Sequence, residues 1–477
     1  MRCLPSYTGR AAPADTFGKK TARPQARPRR PGALAPAAAC APSGPGPREI
    51  QDTRYMNELM SFWAQWLRPS AGLPTVQWAL LLAAATVAGY LVQRYSGLPK
   101  VVGYTLVGTI VGLLGFSGAV WPLQGIGLYL VELGVAVVLF EAGGRIPLRW
   151  FRHNPMVLVQ SIAESAFTYF AVYWVMLWLD VPPRAAGPLA LVAMAASPAV
   201  LTRVVADTRA AGPVTDRAIV LATLSSLYAL TLGSAHAELI NRPAADWAGK
   251  VYPVLVVLGV SIAVGALLSL AMRLALRVMS PTSENTSILL LVLIAAGTAI
   301  TAHMGGSAPL AALLGGMLLK QLHPRPWAWP RQFGTASSLL TMLMFVLVST
   351  VAAQADWTAP VAGAVLALIV VRLLAKAVGV GVGNVGSGAS WRQALWVSCA
   401  MTPMSAIALL VASQFVMASA STGHLIARIA LPAILLMEVL GAVIATVAIY
   451  RAGESSKPWA PLTGLAGRAA HPEKEQP

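Results

Sequence analysis

The feature that most constrains this chain is a series of long apolar runs between residues 76 and 450. A run of about 18 residues or more can cross a hydrocarbon core as one helix. A barrel strand would be about ten residues long and would alternate in polarity, whereas these runs are apolar on both faces. Lipid offers the backbone no hydrogen bonds, so runs of this kind form helices. The chain is therefore predicted to be an all-α polytopic membrane protein.

About thirteen candidate spans can be placed along the sequence by length and hydropathy. The second and ninth are short and rich in glycine. The thirteen spans together form one predicted transmembrane domain over residues 76–450. The predicted spans are 76–96, 101–118, 126–144, 154–179, 185–207, 216–240, 250–278, 286–303, 305–320, 336–354, 358–382, 392–417 and 424–450.

Two of these spans are predicted to be interrupted by proline. The fifth contains Ser197-Pro198, and the twelfth contains Thr402-Pro403. Proline removes a helical hydrogen bond, so the freed carbonyl groups need other partners. Interrupted helices in corresponding places of the two halves are typical of a transport site built from inverted repeats. Two ordinary proline kinks are the alternative interpretation.

The charge pattern predicts membrane topology. The chain has 35 Lys and Arg against 18 Asp and Glu, but the excess lies in the N-terminal segment and in alternate short loops, which argues against nucleic-acid binding. The loops that are richer in Lys and Arg residues are expected on the cytoplasmic side of the inner membrane, together with the C-terminus. These residues are Arg94, Lys100, Arg145, Arg149, Arg152, Arg203, Arg209, Arg217, Arg273, Arg277, Lys320, Arg325, Arg331 and Arg392, against Arg184, Arg242, Lys250 and Arg428 on the other side.

The two ends of the chain differ from its middle. Residues 1–55 are rich in Pro, Ala and Arg and lack apolar periodicity, so they are predicted to be disordered. Thirteen spans with a cytoplasmic C-terminus place the N-terminus outside, and a basic segment opposes export. We therefore expect residues 1–55 to be a non-native extension and the native start to lie near Met56 or Met60. Residues 451–477 are predicted to be a polar cytoplasmic tail.

No enzyme signature occurs in the sequence. Cys3, Cys40 and Cys399 lack the spacing of a metal or redox site. No phosphate-binding loop, nucleophile elbow or catalytic triad is present. His236 and His303 fall near the outer ends of spans and are interpreted as local hydrogen-bonding or pH-responsive residues rather than metal ligands. We expect no enzyme activity, no cofactor and no metal centre.

Several glycine-rich motifs follow one another along the spans. They are Gly97-Leu98-Pro99-Lys100-Val101-Val102-Gly103-Tyr104, Glu132-Leu133-Gly134, Leu139-Phe140-Glu141-Ala142-Gly143, and the run from Gly306-Ser307-Ala308-Pro309 to Gly315-Gly316-Met317-Leu318-Leu319. In this order, from about residue 80 to residue 450, they resemble the motifs of the monovalent cation:proton antiporter family, the bacterial sodium/proton and potassium/proton antiporters.

The resemblance implies a fold and a function. The fold has a core domain with two crossed, broken helices and a second, mainly apolar domain that mediates homodimerisation in the lipid bilayer. The implied function is secondary transport by alternating access, in which sodium or potassium is exchanged for protons across the inner membrane. The partners are then a monovalent cation, protons, membrane lipid and a second copy of the chain.

The sequence also departs from this family. The sixth helix of coupled exchangers carries aspartate at midplane, where this chain has Ser225 and Ser226. A serine hydroxyl does not titrate near neutral pH, although it can help to coordinate a hard cation. Two alternatives therefore stay open: an uncoupled channel or uniporter, and a non-transporting sensor or assembly protein on the same fold.

Charged residues inside the spans supply the other candidates. Arg372 and Lys376 lie one turn apart on one face of the eleventh span, with snorkelling towards a span end as the alternative. Glu164 lies well inside span four, where a charge needs a partner or water. Because the aspartate that usually pairs with this lysine in the family is absent, we expect Lys376 to pair with Glu164. The alternatives are that Lys376 loses its proton and is neutral, or that water reaches it. The predicted ion and proton path comprises Ser197, Ser225, Ser226, Glu164, Arg372, Lys376, Thr402 and Ser405.

Three further acids are interpreted as structural. Glu132 lies in the Glu-Leu-Gly motif and is expected to have a structural pairing partner. Glu141 precedes Arg145 by one helical turn and is expected to form a salt bridge with it. Glu438 lies in the middle of the last span. It is placed behind Glu164 as a proton carrier.

Overall fold

The computed structural model describes residues 73–116, 121–123, 125–146, 151, 154–240, 247–280, 283–322, 331–355 and 357–457. The chain divides into two units, Met1–Arg68 and Pro69–Pro477, and every described residue belongs to the second unit. The expected disordered extension and the expected start at Met56 or Met60 lie outside the described residues. So does the part of the predicted tail that follows residue 457.

The described part of the chain is helical apart from turns and one isolated β-bridge between Ala210 and Ser455. The helices are α1 (Leu73–Ser96), α2 (Lys100–Leu113), α3 (Gly125–Arg145), α4 (Pro155–Trp178), α5 (Pro183–Met194), α6 (Pro198–Thr208), α7 (Pro213–Ile240), α8 (Trp247–Val278), α9 (Glu284–His303), α10 (Ala308–Leu322), α11 (Arg331–Ala352), α12 (Ala359–Val382), α13 (Trp391–Ala400), α14 (Ala406–Ala418) and α15 (Ala420–Ala452).

These helices confirm the prediction of an all-α polytopic membrane protein. Ten segments of the described chain are long and apolar enough to cross a membrane, judged by length and composition. Three shorter apolar helices, α2, α10 and α14, lie among them. Each predicted run is occupied by one helix or by a pair of half-helices. The count of thirteen spans stays a prediction.

Both predicted interruptions are confirmed. The fifth run is split into α5 and α6, with residues 195–197 between them, and the twelfth is split into α13 and α14, with residues 401–405 between them. Pro198 opens α6, where its missing N–H is not needed, and the Ser197 side chain accepts from the Val200 N–H. The amide of Ser197 donates to the carbonyl of Pro403 across 2.9 Å, so the two breaks meet.

Close packing of α4 against α12 depends on two glycines. A Cβ atom at Gly379 would lie 2.5 Å from the Cα atom of Glu164, and one at Gly383 would lie 2.5 Å from the Cα atom of Gln160. Real Cβ contacts are not that short, so only glycine permits this separation of the helix axes. The close approach holds the C-terminal end of α12 against the part of α4 that carries Gln160 and Glu164.

Two hydrophobic clusters fill the interior of the described chain. The larger one includes α5, α6, α14 and α15 and surrounds both breaks. The smaller one joins α3, α8, α9 and α10 through residues such as Phe140, Leu268 and Ile294. The larger cluster also contains residues of α1, α2 and α11, and α3 contributes to both clusters, so the expected division into a core domain and a dimerisation domain stays a prediction.

Candidate functional site

The site lies where the two broken helices cross, and Arg372 of α12 joins them. Its guanidinium is fully buried. Nε donates to the carbonyl of Ala193 at 2.8 Å, and Nη2 donates to that of Ala195 at 2.9 Å. Nη1 donates to the carbonyl of Thr402 at 2.6 Å, with Pro403 at 3.4 Å from Nη2. Arg372 therefore supplies the partners that the interrupted helices need for their free carbonyl groups.

Lys376 lies one turn after Arg372 on α12, and it pairs with Glu164 of α4. Both side chains are fully buried. The ammonium Nζ donates to Glu164 Oε1 and also to the carbonyl of Met194, at 3.2 Å, at the end of α5. The predicted pairing of Lys376 with Glu164 is confirmed. The alternative of snorkelling is wrong for both basic residues, because neither side chain is exposed.

The carboxylate of Glu164 has two hydroxyl neighbours on its own helix. Ser165 Oγ donates to Oε2 at 3.1 Å, and Thr168 Oγ1 lies 3.4 Å from Oε1. Thr168 also donates to the carbonyl of Glu164 at 2.8 Å. A buried carboxylate is tolerated when its oxygens are paired and hydrogen-bonded, as here. Glu164 is thus the centre of a small polar cluster inside an apolar protein.

A cavity of about 690 Å³ leads to this cluster between α4, α5, α7 and α8. Ser165 and Met194 line it, and these two residues contact Glu164 and Lys376 respectively. The cavity is otherwise mostly apolar. The remaining lining residues are Ile162, Ala166, Tyr169, Phe170, Leu191, Leu227, Tyr228, Thr231, Leu232, Ala235, His236, Leu239, Val254 and Leu258.

Ser225 and Ser226 lie on α7, behind the first break. Ser226 Oγ has two backbone acceptors, the carbonyls of Ala196 at 2.8 Å and Ala222 at 2.7 Å, and Ser225 Oγ donates to Ala222 at 3.2 Å. Both serines are fully buried, and neither lines the 690 Å³ cavity. The structure thus brings Ser226 to the crossing of the broken helices, whereas the hydroxyl of Ser225 contacts its own helix.

Ser405 and Thr402 lie at the second break and contact α15. Ser405 Oγ donates to Glu438 Oε1 at 2.6 Å, and Thr402 Oγ1 donates to the carbonyl of Gly441 at 3.4 Å. Glu438 Oε2 is buried and has no hydrogen-bond partner among the described residues. Glu438 was expected to rank behind Glu164 as a proton carrier, and its contact with Ser405 was not predicted. A mid-span acid in the last helix was the only signal.

The remaining candidates lie away from the crossing. Glu141 forms the expected salt bridge with Arg145, with 2.6 Å between Oε1 and Nη2. Glu132 has no ion pair within the described chain, so its expected structural partner is not a charged residue there. His236 lines the cavity and packs edge-on against Phe415. No group of three or more His, Cys, Asp or Glu suited to a metal ion occurs in the described part.

Comparison with known proteins agrees with this architecture. Two structures of the sodium proton antiporter MjNhaP1 from Methanocaldococcus jannaschii share the fold. The one determined at pH 8 has 14% sequence identity and a TM-score of 0.60, and the alignment covers 80% of this chain and 98% of that one. The one from an electron microscopy map has 16% identity and a TM-score of 0.63, with 82% and 100% covered. No curated protein gives a significant match.

The family profile described as "Sodium/hydrogen exchanger, transmembrane" matches residues 81–450. This range runs from residue 81 within α1 to residue 450 near the end of α15, and it includes both broken helices and the buried pair of Glu164 and Lys376. The resemblance seen in the sequence motifs is therefore confirmed, and the chain belongs to the sodium/hydrogen exchanger family of membrane transport proteins.

Proposed function

We propose that this protein is a secondary transporter that exchanges a monovalent cation, sodium or potassium, for protons by alternating access. The observation that carries the proposal is the fully buried ion pair of Glu164 and Lys376 at the crossing of the broken helices. Among the ion pairs of the described residues, it is the one in which both side chains are inaccessible. Intramembrane ionisable residues of this kind mark transport pathways.

The pair can exchange a cation for a proton without an aspartate on α7. A dehydrated monovalent cation needs several oxygen ligands, and Glu164 can offer its carboxylate together with the hydroxyl groups of Ser165 and Thr168. A cation bound there competes with the ammonium of Lys376, because two positive charges repel strongly in a low dielectric. Lys376 then releases its proton and stays neutral. Reprotonation of Lys376 restores the pair and expels the cation.

Arg372 is proposed to position the site rather than to bind the ion. It holds Ala193 and Ala195 of the first break and Thr402 of the second in one arrangement. These contacts keep the two half-helix ends together, so the carbonyl of Met194 stays next to Lys376. Movement of the core in an alternating-access cycle would carry this crossing as one unit.

Access to the pair is proposed to come from the outer side in this conformation. The cavity runs along the C-terminal half of α7 past His236, the end that the charge pattern places outside. At the other end of the site, α6 is tied to neighbouring helices. Asp207 Oδ2 accepts from the Lys100 amide at 3.0 Å, and Arg203 Nη1 donates to Ser338 Oγ at 3.1 Å. Inward opening would require these contacts to part.

The test is an ion-flux assay in proteoliposomes that hold a pH-sensitive dye. A sodium or potassium gradient should drive proton movement through the wild-type protein. Glu164→Gln keeps the size of the side chain and part of its hydrogen bonding but cannot exchange charge, so it should abolish proton-coupled flux. Glu141→Gln is the matched control, because its salt bridge with Arg145 is partly exposed and lies at the end of α3.

The outcomes separate the candidate functions. Cation flux without proton movement would favour an uncoupled channel or uniporter, which the replacement of the family's aspartates by Ser225 and Ser226 supports. Absence of flux in a folded protein would favour a sensor or assembly protein. Coupled flux that survives in Glu164→Gln would make Glu164 structural and would overturn the assignment of the proton to this pair.

A further inference from the structure

We propose that Glu438 and Ser405 form a second proton-binding site, separate from the pair of Glu164 and Lys376. Glu438 belongs to α15, and its side chain is fully buried. Its coupling to ion exchange rests on the function proposed above, but occupancy of the site by a proton does not.

The geometry leaves one carboxyl oxygen available. Ser405 Oγ donates to Oε1 at 2.6 Å, whereas Oε2 is buried and has no partner among the described residues. No cationic side chain forms an ion pair with Glu438 in that part of the chain. An ionised carboxylate that is buried with a single donor is strongly disfavoured. A proton on Oε2 removes this cost.

The location of Glu438 parallels that of Ser226 in the other half of the protein. Each broken helix is followed by a helix that packs against its break: α7 touches the first through Ser226 and Ala196, and α15 touches the second through Glu438 and Ser405. In an inverted repeat these are corresponding places. The family resemblance leads one to expect an acid on α7, where this chain has serine. The corresponding helix of the second half, α15, does carry an acid, Glu438.

A glycine allows α15 to approach the second break this closely. A Cβ atom at Gly441 would lie 2.5 Å from the Cα atom of Pro403, so a larger residue would push α15 away. Gly441 lies one turn after Glu438 and accepts a hydrogen bond from Thr402 through its carbonyl. The contact between Glu438 and Ser405 is thus held from two sides.

The charged groups around the crossing make the state of Glu438 relevant to transport. Arg372 reaches the second break through Thr402, and Lys376, which pairs with Glu164, contacts the carbonyl of Met194 next to the first break. Without a proton on Glu438, the formal charges of the two basic groups, Arg372 and Lys376, and of the two carboxylates sum to zero. With a proton, the four groups carry one net positive charge. Proton binding at Glu438 therefore opposes cation binding at Glu164 through Coulomb repulsion in a low dielectric.

The proposed step is a simple proton transfer. The O–H bond at Oε2 breaks, a water molecule accepts the proton as hydronium, and the carboxylate keeps the hydrogen bond from Ser405. Glu438 is inaccessible in this structure. Proton release therefore requires a conformational change that admits water to Oε2 while the contact with Ser405 is kept, which links proton release to the conformational cycle.

Infrared spectroscopy of the full-length protein in a detergent without ester groups tests the site directly. The wild-type protein should show the C=O stretch of a buried protonated carboxyl group. Glu438→Gln should remove that band. Ser405→Ala should shift its frequency, because the carbonyl oxygen loses its hydrogen-bond donor. Glu164→Gln is the control: it should leave the band in place even though it abolishes exchange.

Two results would overturn the proposal: no protonated carboxyl band at any pH at which the protein is folded, or a band that persists unchanged in Glu438→Gln. If Glu438→Gln does not fold, Ser405→Ala still decides, because an unshifted band would place the protonated group elsewhere. In proteoliposomes, Glu438→Gln should retain cation exchange but move fewer protons per cation than the wild type. An unchanged ratio would remove Glu438 from the coupling.

Discussion

The Nη1 atom of Arg372 lies 2.6 Å from the carbonyl oxygen of Thr402, and its Nη2 atom lies 2.9 Å from that of Ala195. One guanidinium group therefore spans the breaks of two helices that are far apart in the sequence. The planar fork of arginine presents several donors in fixed directions, which a lysine ammonium group cannot reproduce. The crossing thus depends on the shape of this side chain as well as on its charge.

Arg372→Lys should consequently destabilise the protein although the charge is kept. Each buried carbonyl that loses its partner costs about 1–3 kcal/mol. A thermal unfolding assay in detergent should show a clearly lower midpoint, and flux should fall with it. The matched control is Arg277→Lys at the exposed end of α8, which should leave both unchanged. Equal stability of the two variants would show that the breaks are held by other contacts.

Gly379→Ala should separate Lys376 from Glu164 without altering either residue. The added methyl group would meet the Cα atom of Glu164 at 2.5 Å, so α12 and α4 must move apart. We expect a loss of stability of about 1–3 kcal/mol and a reduced rate of coupled flux. Gly363→Ala on the same helix is the control, because nothing lies within 4 Å of its new Cβ atom. Alanine there should stabilise α12 by up to about 1 kcal/mol.

The sequence predicts the local features of this site better than its long-range contacts. The breaks follow from Pro198 and Pro403, since proline acts on its own helix. The pair of Glu164 and Lys376 was predictable because an unpaired buried charge requires a partner. The contact of Ser405 with Glu438 joins residues 33 positions apart, and no local signal specifies it. It arises from the packing of α15 against the second break.

A second contact that no local sequence signal specifies lies at the start of α7, where a distant residue contacts the first turn of the helix. Glu454 follows α15, and its carboxylate accepts from the amides of Val214 and Thr215, each at 2.7 Å, and from Thr215 Oγ1 at 2.6 Å. This is a helix cap supplied by a residue 239 positions away. Gly453, with φ of 77°, provides the left-handed turn that directs Glu454 towards α7.

Glu454→Ala should therefore lower the free energy of unfolding by about 1–2 kcal/mol, as the loss of a cap does. Thermal unfolding in detergent measures this directly, and hydrogen exchange at the first turn of α7 should speed up. Glu238→Ala, at an exposed position on the same helix, is the control and should change neither quantity. If Glu454→Ala matches the control, the contact of the segment after α15 with α7 does not contribute to stability.

Ser226→Asp tests whether this chain uses Glu164 in place of the acid that its family resemblance leads one to expect on α7. Ser226 now donates to the carbonyl of Ala196 at the first break. A carboxylate at that position cannot donate, so the single substitution should cost about 1–3 kcal/mol in stability. It also places an acid at the first break, next to the Met194 carbonyl that accepts from Lys376.

The decisive variant combines Ser226→Asp with Glu164→Gln. If Lys376 requires only an acid at the crossing, this double variant should recover proton-coupled flux that Glu164→Gln alone has lost. Ser225→Asp in the Glu164→Gln background is the control, because the hydroxyl of Ser225 contacts its own helix rather than the break. If neither double variant recovers coupled flux although both proteins are folded, Glu164 is needed in its present place on α4.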